Sequence, residues 1–201
     1  VIANGAECEP LIHKDVEIMG RYPREILAGL SLMIDATGAK QGLFGMKEKN
    51  RAAVAAIEPE AKSRGVQMVL LGDFYPAGDE YELVHAATGR LIPAGGIPLH
   101  VGCVVNNVET LYNVQQAAND VPVTRKCLTV TGAVREPQTL WAPIGISFRD
   151  LIVHCGGATA DDYGLLVNGA MMGTLSFDLD DVVTRTTAGL ILLPRHHDLI
   201  T

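Results

Sequence analysis

The sequence predicts an α/β layer on a largely parallel sheet, followed by a compact α+β module. Three observations lead there. Apolar runs alternate with amphipathic helical stretches as far as Ala118. The run Val66 to Leu71 has no polar alternation apart from Gln67, as expected of a strand covered on both faces. After Asn119-Asp120 the character changes to short mixed strands, one short helix and Gly-rich turns.

Taken in order, Val1, Ile2 and Ala3 form a first strand that ends at the turn signal Asn4-Gly5. From Arg24 to Thr37, Ile26, Leu27, Leu30, Met33 and Ile34 recur at helical spacing, and Gly38 stops the helix. The run Gly42 to Met46 is followed by Asn50, an N-cap, and an alanine-rich helix through Ala56 that Pro59 delimits or restarts. Val66 to Leu71 is the next strand. Tyr75-Pro76-Ala77-Gly78 then leads to a helix from Asp79 to Ala87, and Pro93 to Pro98 is a Gly/Pro-rich loop. Val101 to Val105 runs into Asn106-Asn107, which caps a helix from Val108 to about Ala118. Beyond a boundary at Asp120 to Thr124, the segments Cys127 to Val134, Ser147 to Cys155 and Leu165 to Val167 supply the smaller module.

Composition narrows the function classes. The chain has 201 residues, 48% of them hydrophobic and 19% charged, which is the profile of a globular protein and not of a disordered one. A net charge of -7 without a basic stripe argues against nucleic acid as a partner. No apolar run approaches the roughly 18 residues a membrane span needs. Cys8, Cys103, Cys127 and Cys155 are widely spaced with no C-x-x-C, so neither a zinc ribbon nor a ferredoxin-type cluster is encoded, and a reducing compartment fits. Starting at Val1 with a strand and no Met, the chain reads as part of a longer protein.

Three loops place polar groups straight after an apolar run, where an α/β sheet offers its edge to a ligand. In Asn4-Gly5-Ala6-Glu7-Cys8-Glu9-Pro10, Asn4 has a donor and an acceptor suited to the imide edge of a flavin, with Glu7 and Glu9 nearby; taken alone, the plainer reading is a turn with solvated carboxylates. In Tyr75 to Glu80, Tyr75 offers a flat face, Gly78 permits close backbone approach and Asp79 sits at a helix start; its plainer reading is a well-capped helix. In Val104 to Thr110, one of Asn106 and Asn107 caps the helix while the other points elsewhere. Met171-Met172 reads as a core or interface filler before a soft metal pair, and His196-His197 as an exposed pair before a metal site. No catalytic and no metal-ligating residue is assigned.

Together, V-I-A-N-G-A-E-C-E-P from Val1, Y-P-A-G-D-E from Tyr75, G-G-I-P-L-H-V-G from Gly95, V-V-N-N-V-E-T from Val104 and N-G-A-M-M-G from Asn168 cover essentially the whole chain. They resemble the FMN-binding 51-kDa subunit of respiratory NADH dehydrogenase, and more closely the C subunit of the Rnf electron-transport complex and the cobalamin reductase of propanediol-utilisation microcompartments. His13-Lys14-Asp15 and Asp79-Glu80-Tyr81 are closer to the cobalamin reductase. Ala6 and Cys8 depart from the dehydrogenase pattern, which has an acidic residue and a glycine there.

The resemblance implies a Rossmann-like FMN-binding domain over residues 1–122 and a β-grasp, ubiquitin-like soluble-ligand-binding domain over residues 123–201. The second half carries it in V-T-G-A-V-R-E-P from Val130, Ile144 to Ser147 and Cys155-Gly156-Gly157. By position, Asn4, Glu7, Tyr75, Gly78, Glu80, Asn106 and Asn107 would line FMN, with Glu9 and Asp79 near the nicotinamide of NADH.

The implied activity passes electrons from NADH through FMN to 4Fe-4S clusters encoded downstream, and on to an acceptor such as cobalamin or other subunits of a redox complex. The implied location is cytoplasmic, peripheral on the inner membrane face or inside a bacterial microcompartment. The resemblance places a Gly-rich phosphate loop before Val1, so these residues alone are expected to hold FMN weakly and to be inactive. The alternative is a docking scaffold that has lost its cofactor. A nicotinamide-only dehydrogenase is disfavoured because no G-x-G-x-x-G follows any strand.

Overall fold

A computed structural model describes residues 1–200 of the chain. They divide into two compact units: residues 1–8 and 15–122 form one, and residues 9–14 with Val123 onward form the other.

In the first unit, β1 (Ile2–Gly5) precedes two helices, α1 (Lys14–Arg21) and α2 (Pro23–Thr37). Gly38 ends α2 in the left-handed conformation, with its N–H bonded back to Asp35, as the sequence predicts. Next come β2 (Leu43–Lys47), α3 (Arg51–Ser63) and β3 (Gln67–Leu71). They are followed by α4 (Glu80–Thr88), a short 3₁₀ turn at Pro98–Val101, β4 (Val105–Asn107) and α5 (Val108–Ala118). All pairings are parallel, in the order β3-β2-β1-β4.

Alternate strand residues feed opposite layers. Ile2 and Leu43 pack with Leu83 and Val84 of α4, whereas a side chain on Gly5 would collide with Met19 of α1. Gly29 lets α2 approach α5 so closely that any Cβ there would run into the Leu111 carbonyl.

Several local expectations change. β1 includes Asn4 and Gly5, because both pair with β2. The expected cover on both faces of β3 is only partial: it is the edge strand, with Leu71 buried but Leu70 half exposed, while β2 beside it is buried throughout. Pro59 neither ends nor restarts α3. It lies on the exposed side, where the unpaired carbonyl can meet water, and the buried stripe Ala53, Ile57, Ala61 continues past it. Asn50 occupies the N-cap position but makes no side-chain capping bond. Helix α1 was not foreseen.

The second unit contains β5 (Arg125–Gly132), β6 (Gln138–Pro143), α6 (Phe148–His154), β7 (Tyr163–Val167), β8 (Thr174–Ser176) and β9 (Gly189–Pro194). The sheet order is β6-β5-β9-β7-β8, with β5 and β9 parallel and every other pair antiparallel. Ser147 caps α6 through its hydroxyl, and Phe148, Leu151 and Ile152 pack on Leu128, Val130, Leu165, Leu190 and Leu192 from the sheet.

Residues 9–14 belong to this unit for a physical reason. Ile12 lies in an apolar cluster with Leu166, Ile191 and Ile200 on the face that α6 leaves bare, and the His13 N–H donates to Thr129 Oγ1 at 3.1 Å. Met171 and Met172 are exposed, so neither fills a core.

Candidate functional site

Chain reversal in the first sheet creates the site. From β1 the chain builds outward through β2 to β3, then returns to add β4 on the other side of β1. Loops leaving the carboxyl ends of β1 and β4 therefore part in opposite directions, and a ligand crevice opens at such a switch point. Register puts Ala3 beside Asn106 and Asn4 beside Asn107, so the two Asn-bearing segments lie side by side.

Each side chain there has a defined task. Asn107 Oδ1 accepts the Glu109 N–H at 2.9 Å, capping α5, and its Nδ2 donates to Asp15 Oδ2 at 2.8 Å. Asn4 Oδ1 accepts the Ala6 N–H at 3.1 Å, and its Nδ2 donates to the Gly78 carbonyl at 2.8 Å, tying the loop after β1 to the loop after β3. The Glu7 carboxylate accepts the Asp15 N–H at 3.2 and 3.3 Å in the first turn of α1. Asp79 is the N-cap of α4, accepting the Tyr81 N–H at 2.9 Å.

Asn106 differs from its neighbours. Its Nδ2 is sealed from solvent and has no hydrogen-bond partner among the described residues. A buried unmet donor costs about 1–3 kcal/mol, so the site has an unfilled demand for an acceptor. That is the observation on which a flavin, rich in ring carbonyl and nitrogen acceptors, fits here.

Asn4, Glu7, Gly78, Asp79, Asn106 and Asn107 thus gather around the carboxyl ends of β1 and β4 and the loop after β3. Tyr75 and Glu80 stand exposed beside them, without a side-chain hydrogen bond among the described residues. Glu9 belongs to the second unit, where its carboxylate accepts the N–H groups of Met171 at 3.1 Å and Met172 at 2.6 Å.

Sequence reasoning missed Asp15, nearly buried at 6% exposure, as the partner of Asn107. Its signal was weak, since an acid at a helix start is ordinary. No cluster of three or more His, Cys, Asp or Glu suited to a metal occurs among the described residues.

Comparison with known proteins identifies a domain family for each half of the chain. The family model described as the Nuo51 FMN-binding domain matches residues 1–116, and an SLBB domain model matches residues 128–175. The cobalamin reductase PduS of Citrobacter freundii is 44% identical over 200 residues, covering 99% of this chain and 44% of the relative. The C subunit of the Na(+)-translocating ferredoxin:NAD(+) oxidoreductase complex of Acetobacterium woodii is 32% identical over 198 residues, covering 97% of this chain and 45% of the relative. The chain thus spans less than half the length of these relatives.

Among solved structures, an NAD+-reducing NiFe hydrogenase in its H2-reduced state superposes with a TM-score of 0.79 at 24% identity. It covers 98% of this chain and 40% of the hydrogenase chain, a likeness of fold.

Proposed function

The chain belongs to the Nuo51 FMN-binding domain family, and from that premise we propose that the full-length protein is a flavin-dependent electron-transfer oxidoreductase. It takes hydride from NADH and delivers electrons, through iron-sulfur clusters outside these residues, to a downstream acceptor. The named relatives support an acceptor of the cobalamin-reductase kind or the redox complex to which an Rnf-type C subunit belongs. Its partners are then NADH and other subunits of a redox assembly. No helix among the described residues is long and apolar enough to cross a membrane. A location peripheral to a membrane complex or within a microcompartment is part of the proposal.

The unmet Asn106 Nδ2 at the β1/β4 switch point carries the reading. Asn106 and Asn107 would hold the flavin from the β4 side, Asn4 and Glu7 from the β1 side, and Gly78 with Tyr75 and Glu80 from the loop after β3. Asp79 would keep that loop's helix start in place, and Glu9 would act near the nicotinamide only after giving up its two amide donors.

Bound there, FMN supplies the conversion of a two-electron hydride into single electrons; the protein supplies position and field. Carboxylates such as Glu7 and Glu80 oppose build-up of negative charge on a reduced ring and thereby lower its potential.

The test is FMN content and NADH bleaching of the visible flavin band in full-length protein. Asn4→Ala combined with Asn106→Ala should lower FMN affinity by tenfold or more, on the scale of about 1–3 kcal/mol per lost buried partner. Unchanged occupancy would remove the assignment.

A further inference from the structure

We propose that Cys8 is a positioning residue of the flavin site, acting through Gly78; this rests on the flavin reading above. Ala6 and Gly78 lie on different loops, and each presents one peptide N–H and one C=O. Asn4 serves one diagonal of this square, accepting the Ala6 N–H and donating to the Gly78 carbonyl. Cys8 serves the other: its Sγ accepts the Gly78 N–H at 2.9 Å, and its S–H donates to the Ala6 carbonyl at 3.1 Å. Two side chains thereby satisfy four backbone groups in a closed ring.

The clasp has no slack. A Cβ on Gly78 would collide with the Ala6 carbonyl and lie 3.1 Å from Cys8 Sγ, so the two loops are already in contact. Position 8 requires one atom on a short stem that both donates and accepts. A thiol does this weakly and a hydroxyl does it well, whereas a methyl group leaves the Gly78 N–H and the Ala6 carbonyl unpaired. Losing a partner costs more than the bond itself contributes. Gly78 leads directly into Asp79, the cap of α4, and into Glu80. Cys8 therefore sets where the start of α4 and the Glu80 carboxylate stand, without touching the ring itself. The thiol acts here through its hydrogen bonds.

The experiment compares wild type, Cys8→Ala and Cys8→Ser in the full-length protein. It reads amide hydrogen exchange over residues 75–80 of the apo protein, the dissociation constant for FMN, and the midpoint potential of the loaded flavin. Cys8→Ala should speed exchange at Gly78 and weaken FMN binding about tenfold, with a shifted potential. Cys8→Ser should restore all three toward wild type.

Wild-type exchange in Cys8→Ala would overturn the clasp. Faster exchange with unchanged affinity and potential would overturn the positioning role, as would a Cys8→Ser variant that behaves like Cys8→Ala. A full-length wild type that takes up no FMN would instead defeat the flavin reading, and exchange at Gly78 would still decide whether Cys8 holds the loop.

Discussion

The two sheets differ in how they distribute their polar loops. In the first unit every strand runs the same way, so β1, β2, β3 and β4 all end on one edge, and their following loops meet there. Order reversal at β1 then sends two of those loops apart, with Asn4, Asn106 and Asn107 at the paired strand ends between them. In the second unit, antiparallel neighbours alternate direction, and only β5 and β9 agree. Strand ends and their polar turns are therefore shared between opposite edges. The best-organised polar contact there, Glu9 on the Met171 and Met172 amides, consumes its carboxylate within the fold. A parallel sheet concentrates polar loops for a ligand, while a mixed sheet spends them on closing itself.

Core substitutions are the harshest way to break this comparison. Phe148→Ala in the second unit and Leu30→Ala in the first each remove a fully packed side chain. Expected losses are about 3–5 kcal/mol for the Phe and about 2–5 kcal/mol for the Leu, read by urea denaturation. Below the transition, FMN content should stay at wild type for Phe148→Ala. A fall there would mean that the second unit shares the site.

Asp15→Ala sharpens the comparison at intermediate strength. It removes the acceptor for Asn107 Nδ2 while the α5 cap through Oδ1 persists. A loss of about 1–3 kcal/mol is expected from the unpaired amide, together with weaker FMN binding. Calorimetry and FMN titration would check both, and unchanged binding would show that Asn107 acts only as a helix cap.

The smallest effect is electrostatic and should be alike in the two units. A hydrogen bond from Lys49, helped by Lys47, holds the Asp73 carboxyl below the usual carboxylate range, and Arg149 does the same for Asp180. A carboxylate with a depressed folded value contributes stability above its unfolded value of about 3.9, and that contribution disappears as pH falls through the folded value. Asp73→Asn and Asp180→Asn should thus each lower stability slightly at neutral pH and converge with wild type in acid. Melting temperatures across that range decide it; both acids are fully exposed, so screening keeps the effect small.

Legibility followed the range of the interaction responsible. Gly38 as the stop of α2, a capped start of α4 at Asp79 and an Asn cap of α5 were readable because a cap involves only a few neighbouring residues; that Asn107 and not Asn106 is the cap came from the structure. Helix α1 was not readable. It is short and charged, and its two buried residues, Ile18 and Met19, are too few to mark an apolar helical face in the sequence. Pro59 misled because local propensity penalises it wherever it falls in a helix. In the fold it lies on the exposed side of α3, and the stripe facing the core outweighs the lost bond. The apolar run of β3 pointed to cover on both faces, yet its place at the edge is a property of the whole sheet.

By itself the sequence did not determine α1, β6, β8 or β9; it determined the α/β character of the first half, several helix ends, the change of character near Asp120 and the polar loops that follow β1, β3 and β4. These depend on propensity, periodicity and caps, all local in the chain. Only the tertiary structure decided that β1 is the switch point and that β3 is an edge. It also decided that residues 9–14 join the second unit, that Glu9 is occupied there, and that Asn106 keeps an unmet donor. Each of those facts depends on which groups meet, or fail to meet, across long sequence separations, as Asn4 and Cys8 meet Gly78. The energy of such a pairing exists only once both partners have been brought within hydrogen-bond reach.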